Sequence, residues 1–339
     1  MEPRVGELFL LGFRGLAPPA WLARFAAKHG LGGAILFDQD VATRQPGRNV
    51  ESPAQVASLC AALHALPGRP LVFVDQEGGR VRRLKAERGF AELPSAADFA
   101  RLPRAERLAL ARRACAEMKR LGIDFDLAPV VDVDSRPDNP NLGALGRCFS
   151  ADPEAVAENV RVWAEAAADA SLGLCLKHWP GLGGARVDSH LALTDITGTF
   201  SDAQLALFDL CGEIPGGAIL VSHGIVRDWD PERPVSVSEP ALRRLRARAP
   251  DALLISDDLQ MQGLQQACPT LEACERAVRA GIDLLCLGNN LLDQEEVCEE
   301  AARNLAARAR EDAALRARIE EARARVAARK RWAAGVLRA

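Results

Sequence analysis

The chain has 339 residues, 48% of them apolar, and a formal net charge of −3. That length suits one large α/β domain or two average ones, and the charge argues against an electrostatic nucleic-acid binder. No apolar run approaches membrane-spanning length, and the start, MEPRVGELFLLGF, lacks the apolar stretch and cleavage site of a signal peptide. The nine cysteines form no C-x-x-C pair, which fits reduced thiols packed as small apolar residues. A cytoplasmic protein is expected, with no nucleic-acid or membrane partner.

Eight short apolar runs follow one another along the chain. They are LFLLGF (8–13), GGAILF (32–37), PLVFVD (70–75) and FDLAPVVDV (125–133), then LCLKHW (174–179), AILVSH (218–223), LLISDD (253–258) and LLCLG (284–288). Each is too short for a helix and apolar without alternation, as strands buried on both faces are. Between them lie helical segments such as SPAQVASLCAALHAL and DPEAVAENVRVWAEAAADA, where Ser52 and Asp152 are N-cap candidates ahead of a proline. Strand and helix alternating eight times predict a (β/α)8 TIM barrel. A doubly wound open sheet is the rival, but no G-x-G-x-x-G or P-loop motif supports it. The tail from about Glu295 reads as one or two Ala/Arg/Glu helices packed on the barrel, so residues 1–339 are expected to form a single catalytic domain with a helical segment over about 295–339.

Barrel enzymes carry their chemistry at the C-terminal ends of the strands. Here the third run ends in Asp75, the fifth in Lys177 and His178, the sixth in Ser222 and His223, and the seventh in Asp257 and Asp258. A single acid after a strand often only caps the next helix; four strand ends with polar groups argue for one shared pocket. The segment KHWPGLGGARVDSH (177–190) adds Asp188 and His190, two residues apart. A carboxylate so placed can take one imidazole N–H and leave the other nitrogen to move protons. No set of residues suggests a metal, since His178 and His190 lack the i, i+4 spacing of a helical zinc pair and have no thiolates beside them. No cofactor motif is present either.

VDQEGGRVRRL (74–84), KHWPGLGGARVDSHLALTDI (177–196) and ISDDLQM (255–261) together resemble glycoside hydrolase family 3, nearest to its single-domain bacterial β-N-acetylglucosaminidases of the NagZ type. The resemblance runs from roughly Gly32 to Gly288 and implies a TIM barrel. It implies Asp257 as catalytic nucleophile, His190 as general acid/base and Asp188 as its partner. It also implies substrate binding by Asp75, Arg83, Lys177, His178 and, on the loosest alignment, Arg147. The implied activity is retaining hydrolysis of terminal β-N-acetylglucosamine from cell-wall fragments, without cofactor, by a monomer. A retaining glycosidase needs one group to trap the oxocarbenium-like centre and another to protonate the leaving oxygen. Histidine titrates near neutrality and can do the second task without the burial a glutamate would need.

The chain also departs from the pattern. Leu182 stands where the family usually has histidine in P-G-H-G, and Cys148 stands where serine is usual. Another family 3 β-glycosidase, a phosphorylase, and a sugar-binding protein that has lost turnover remain as alternatives.

Overall fold

A computed structural model describes residues 4–40, 43, 45, 47–186, 193–291 and 295–336. Eight parallel strands follow the eight apolar runs: β1 (Phe9–Gly12), β2 (Gly33–Leu36), β3 (Leu71–Val74) and β4 (Phe125–Asp126), then β5 (Gly173–Trp179), β6 (Ala218–Val221), β7 (Leu253–Ser256) and β8 (Leu285–Leu287). They lie in the order β8-β1-β2-β3-β4-β5-β6-β7. A parallel bridge between Ile255 and Leu284 joins the last two and closes the ring. The fold is the expected TIM barrel. Ser52 and Asp152 cap their helices as expected, accepting from the backbone N of Gln55 and Glu154 with a proline next in each helix.

Residues two apart on a strand share a face. Leu71 and Phe73, Phe125 and Leu127, Leu253 and Ile255 all belong to the cluster that fills the barrel, whereas Val72, Val74 and Leu254 pack between sheet and helices. The tail forms two helices, Glu295–Glu311 and Ala313–Ala333. The second closes the barrel's lower end: Val326 and Ala333 join the inner cluster and Trp332 packs against it, its ring 6.0 Å from that of Phe125. The upper end stays open, and that is where the polar strand ends gather.

Candidate active site

The inward parity of β3 continues past its end, so Asp75 points into the mouth of the barrel. The chain then turns through a short hairpin, Gln76–Gly78 paired with Val81–Arg82. Gly78, just before the turn at Gly79–Arg80, has φ +93°, and a Cβ there would sit 2.1 Å from the Pro94 carbonyl, so only glycine fits. The hairpin returns Arg83 to Asp75, Nη2 to Oδ2 at 3.1 Å.

On β5 parity would send Cys175 and Lys177 inward and His178 outward. The register against β6 slips between Leu176 and Trp179, and this bulge re-aims the strand end. Lys177 and His178 consequently both line the cavity. Lys177 Nζ lies 2.8 Å from Asp75 Oδ1 and 2.6 Å from Glu77 Oε1. Arg147 meets Glu77 with two bonds, Nε to Oε2 at 2.7 Å and Nη2 to Oε1 at 2.8 Å. His178 is held by Asp132, Nδ1 to Oδ2 at 2.7 Å, and its Nε2 lies 3.4 Å from Arg147 Nη2.

Five charges are thus packed together in the cavity wall: Lys177, Arg147 and Arg83 against Asp75 and Glu77. Burial pushes the Asp75 carboxyl up, but Lys177 and Arg83 outweigh it and hold it well below the usual carboxylate range. Burial likewise opposes ionisation of Glu77, and Arg147 and Lys177 bring it down to about 2. Lys177 is pulled down by burial and raised further by the two acids, so it stays charged. Desolvating such a set is costly and is repaid only by close geometry. An array of fixed donors and acceptors like this one suits a ligand rich in hydroxyl groups.

Asp257 follows β7. In a closed ring of eight, β7 is four strands from β3 either way round, so Asp257 faces the Asp75 group across the mouth. The cavity between them measures about 180 Å³ and has Leu127, Leu142, Leu182, Leu220 and Ile255 among its apolar walls. Strand alternation would let only one of Asp257 and Asp258 face inward, yet both line the cavity. The strand ends at Ser256, so alternation no longer applies. The two carboxylates still differ. Asp258 Oδ1 accepts from the backbone N of Gln260 and Gly288 at 3.0 and 3.2 Å, while Asp257 Oδ1 accepts from Asp258 N at 2.9 Å. Asp258 is tied into the frame beneath.

Other expectations divide. His223 serves the frame, its Nδ1 2.7 Å from Ser236 Oγ and its Nε2 3.0 Å from the Asp258 carbonyl. Leu182, in the place of the usual histidine, adds an apolar wall and binds through its backbone, N to Asp132 Oδ1 at 2.6 Å. Asp188 and His190 lie outside the described residues. Among the described residues no group of three or more His, Cys, Asp or Glu is placed to hold a metal. Two partners were not foreseen, Glu77 and Asp132. Glu77 had a readable signal, since in an extended segment it shares a face with Asp75.

A family model described as the glycosyl hydrolase family 3 N-terminal domain matches residues 2–328. The chain belongs to glycosyl hydrolase family 3. This family 3 glycoside hydrolase is 33% identical over 263 residues to a β-hexosaminidase of Pseudomonas aeruginosa, covering 75% of this chain and 74% of the relative. A β-hexosaminidase of Thiobacillus denitrificans is 33% identical over 275 residues, 77% of this chain and 72% of its own. Among solved structures, β-N-acetylhexosaminidase from Beutenbergia cavernae superposes with a TM-score of 0.84 at 27% identity, over 97% of this chain and 98% of that one. The architecture of the family 3 enzyme and the sugar-hydrolysing class agree with what the three sequence motifs implied.

Proposed function

We propose that this family 3 enzyme is a retaining β-N-acetylhexosaminidase that removes terminal β-linked N-acetylglucosamine from cell-wall fragments. Asp257 attacks the anomeric carbon and forms a glycosyl-enzyme. His190, oriented by Asp188, protonates the leaving oxygen and then takes a proton from the incoming water. Asp75, Arg83, Lys177, His178 and Arg147 grip the sugar hydroxyls, and these bonds tighten as the ring flattens toward the transition state. The observation that carries this reading is one cavity with Asp257 on one side and the Asp75–Lys177–Glu77–Arg147 array on the other. The names of the relatives support the N-acetylhexosamine substrate.

Matched aryl β-N-acetylglucosaminide and aryl β-glucoside substrates test the assignment, each with and without phosphate. The expected outcome is preference for the N-acetylglucosaminide, with free sugar as product in both buffers. Preference for the glucoside, or a sugar phosphate as main product, overturns it.

A further inference from the structure

Asp132 follows β4 and is fully buried, and no step above uses it. Its two oxygens serve two different parts of the site. Oδ2 accepts from the backbone N of His178 at 3.2 Å and lies 2.7 Å from His178 Nδ1. Oδ1 accepts from the backbone N of Leu182 at 2.6 Å. At the far edge of the imidazole, Nε2 lies 3.4 Å from Arg147 Nη2. A guanidinium only donates, so Nε2 is the acceptor in that contact. The ring proton then belongs on Nδ1, where a carboxylate receives it. Two neighbours on opposite edges select the same tautomer.

We propose that Asp132 is a positioning residue that fixes His178 with its proton on Nδ1 and its Nε2 lone pair toward the cavity, and ties that ring to the backbone of Leu182. Nε2 has a single lone pair, so a sugar hydroxyl that donates to it takes the place of the long 3.4 Å contact from Arg147, whose N–H is then left to donate to the sugar. The second bond reaches Leu182, six residues before Asp188 in the sequence. One carboxylate thereby sets both the gripping imidazole and the start of the segment that leads to Asp188 and His190. The inference rests on the cavity being the sugar site.

Asp132→Asn is the informative variant. The carboxylate faces three N–H groups, and an amide offers an oxygen on one side only. Whichever way it turns, N–H meets N–H at Leu182 or at His178. A fixed wrong tautomer is costly where a histidine works in one orientation.

The test is a long-range proton–nitrogen NMR spectrum of enzyme labelled with ¹⁵N-histidine, recorded without substrate. The His178 signals are identified by their loss in His178→Gln. In the wild type, Nδ1 is expected to carry the proton and Nε2 to be bare. In Asp132→Asn a mixed or reversed pattern is expected, with kcat/KM lower by on the order of 10- to 100-fold. A wild-type ring with its proton on Nε2 overturns the proposal. So does Asp132→Asn with unchanged kcat/KM, whatever its spectrum. Should that variant fail to fold, the wild-type spectrum decides alone. The tautomer is read without substrate, so an error in the substrate assignment shows in the selectivity assay and leaves this result standing.

Discussion

Asp75 and Glu77 stand two apart in an extended segment, and Lys177 reaches both. Glu77→Gln keeps the size of the side chain and removes its charge, leaving Arg147 and Lys177 with one anion fewer in a buried setting. Breaking one side of such a set costs about 3 kcal/mol or more, and Arg147 loses its forked anchor. A lower Tm and a lower kcat/KM are expected together; a variant unchanged in both contradicts the role given to Glu77. The pH dependence has a definite sign. The folded-state value of Glu77 is depressed from 4.5 to about 2, so its contribution is full above about 4.5 and lost as pH falls toward about 2. The stability gap between wild type and Glu77→Gln should therefore narrow across that window. Asp75 was legible because it ends an apolar run; Glu77, two residues on in the same short motif, was missed although it shares a face with Asp75. Asp132 was not legible either, because it sits inside an apolar run and its partners come from the end of β5 and the loop after it, 46 and 50 residues on.

At the scale of elements, the short unbroken apolar runs announced the strands, since burial on both faces leaves a plain sequence mark. The bulge in β5 left no such mark: it is a mismatch in pairing with β6, a property of two strands together. The fourth run was expected to extend over 125–133 and pairs as a strand only at Phe125–Asp126, with one further bridge from Val130 to Lys177. Pro129 interrupts it, having no N–H to give. The loops beyond the strands are joined by Asn139, which is buried. Its Nδ2 donates to the carbonyls of Leu182 and Gly183 at 2.8 and 3.1 Å, and its Oδ1 accepts from the N of Asn141 and Leu142 at 3.0 and 3.2 Å. Asn139→Ala leaves these groups unpaired, at about 1–3 kcal/mol for each that stays buried without a partner. It should lower both Tm and kcat/KM, because the loops carrying Arg147 and Leu182 lose their common tie. A fall in Tm with catalysis unchanged at low temperature would mean that the tie serves the fold alone.

Over the whole molecule, the alternation that points Phe125 and Leu127 into the barrel turns Asp126 outward, into the layer beneath the helices. Its Oδ1 accepts from the backbone N of Gln76 at 2.9 Å, and Oδ2 has no hydrogen-bond partner. Burial lifts this carboxyl from 3.8 to about 8, against the opposing pull of the Gln76 N–H and Lys177. Its contribution to stability is therefore full below about 3.8 and is lost as pH rises through about 8. Asp126→Asn keeps the bond from Gln76 and cannot ionise. Urea unfolding at pH 5 and pH 9 should show the variant gaining on the wild type at the higher pH. An identical difference at both values would contradict the placement of a proton on Asp126. The Glu77 effect lies mainly below about 4.5 and this one mainly above about 3.8, so the two overlap only in that narrow interval and pH 5 and pH 9 both lie outside the Glu77 window.

The barrel brings β3, β5 and β7 to one mouth, and the proposed mechanism depends on Asp257 acting there as nucleophile. The most direct measurement uses a fluorinated N-acetylglucosaminyl donor that forms the glycosyl-enzyme quickly and releases it slowly, followed by peptide mapping by mass spectrometry. The added mass is expected on the peptide ISDDLQM, localised to Asp257, and absent from Asp257→Asn. Label on Asp258, or steady turnover of ordinary substrate by Asp257→Asn with no covalent adduct in the wild type, would contradict it.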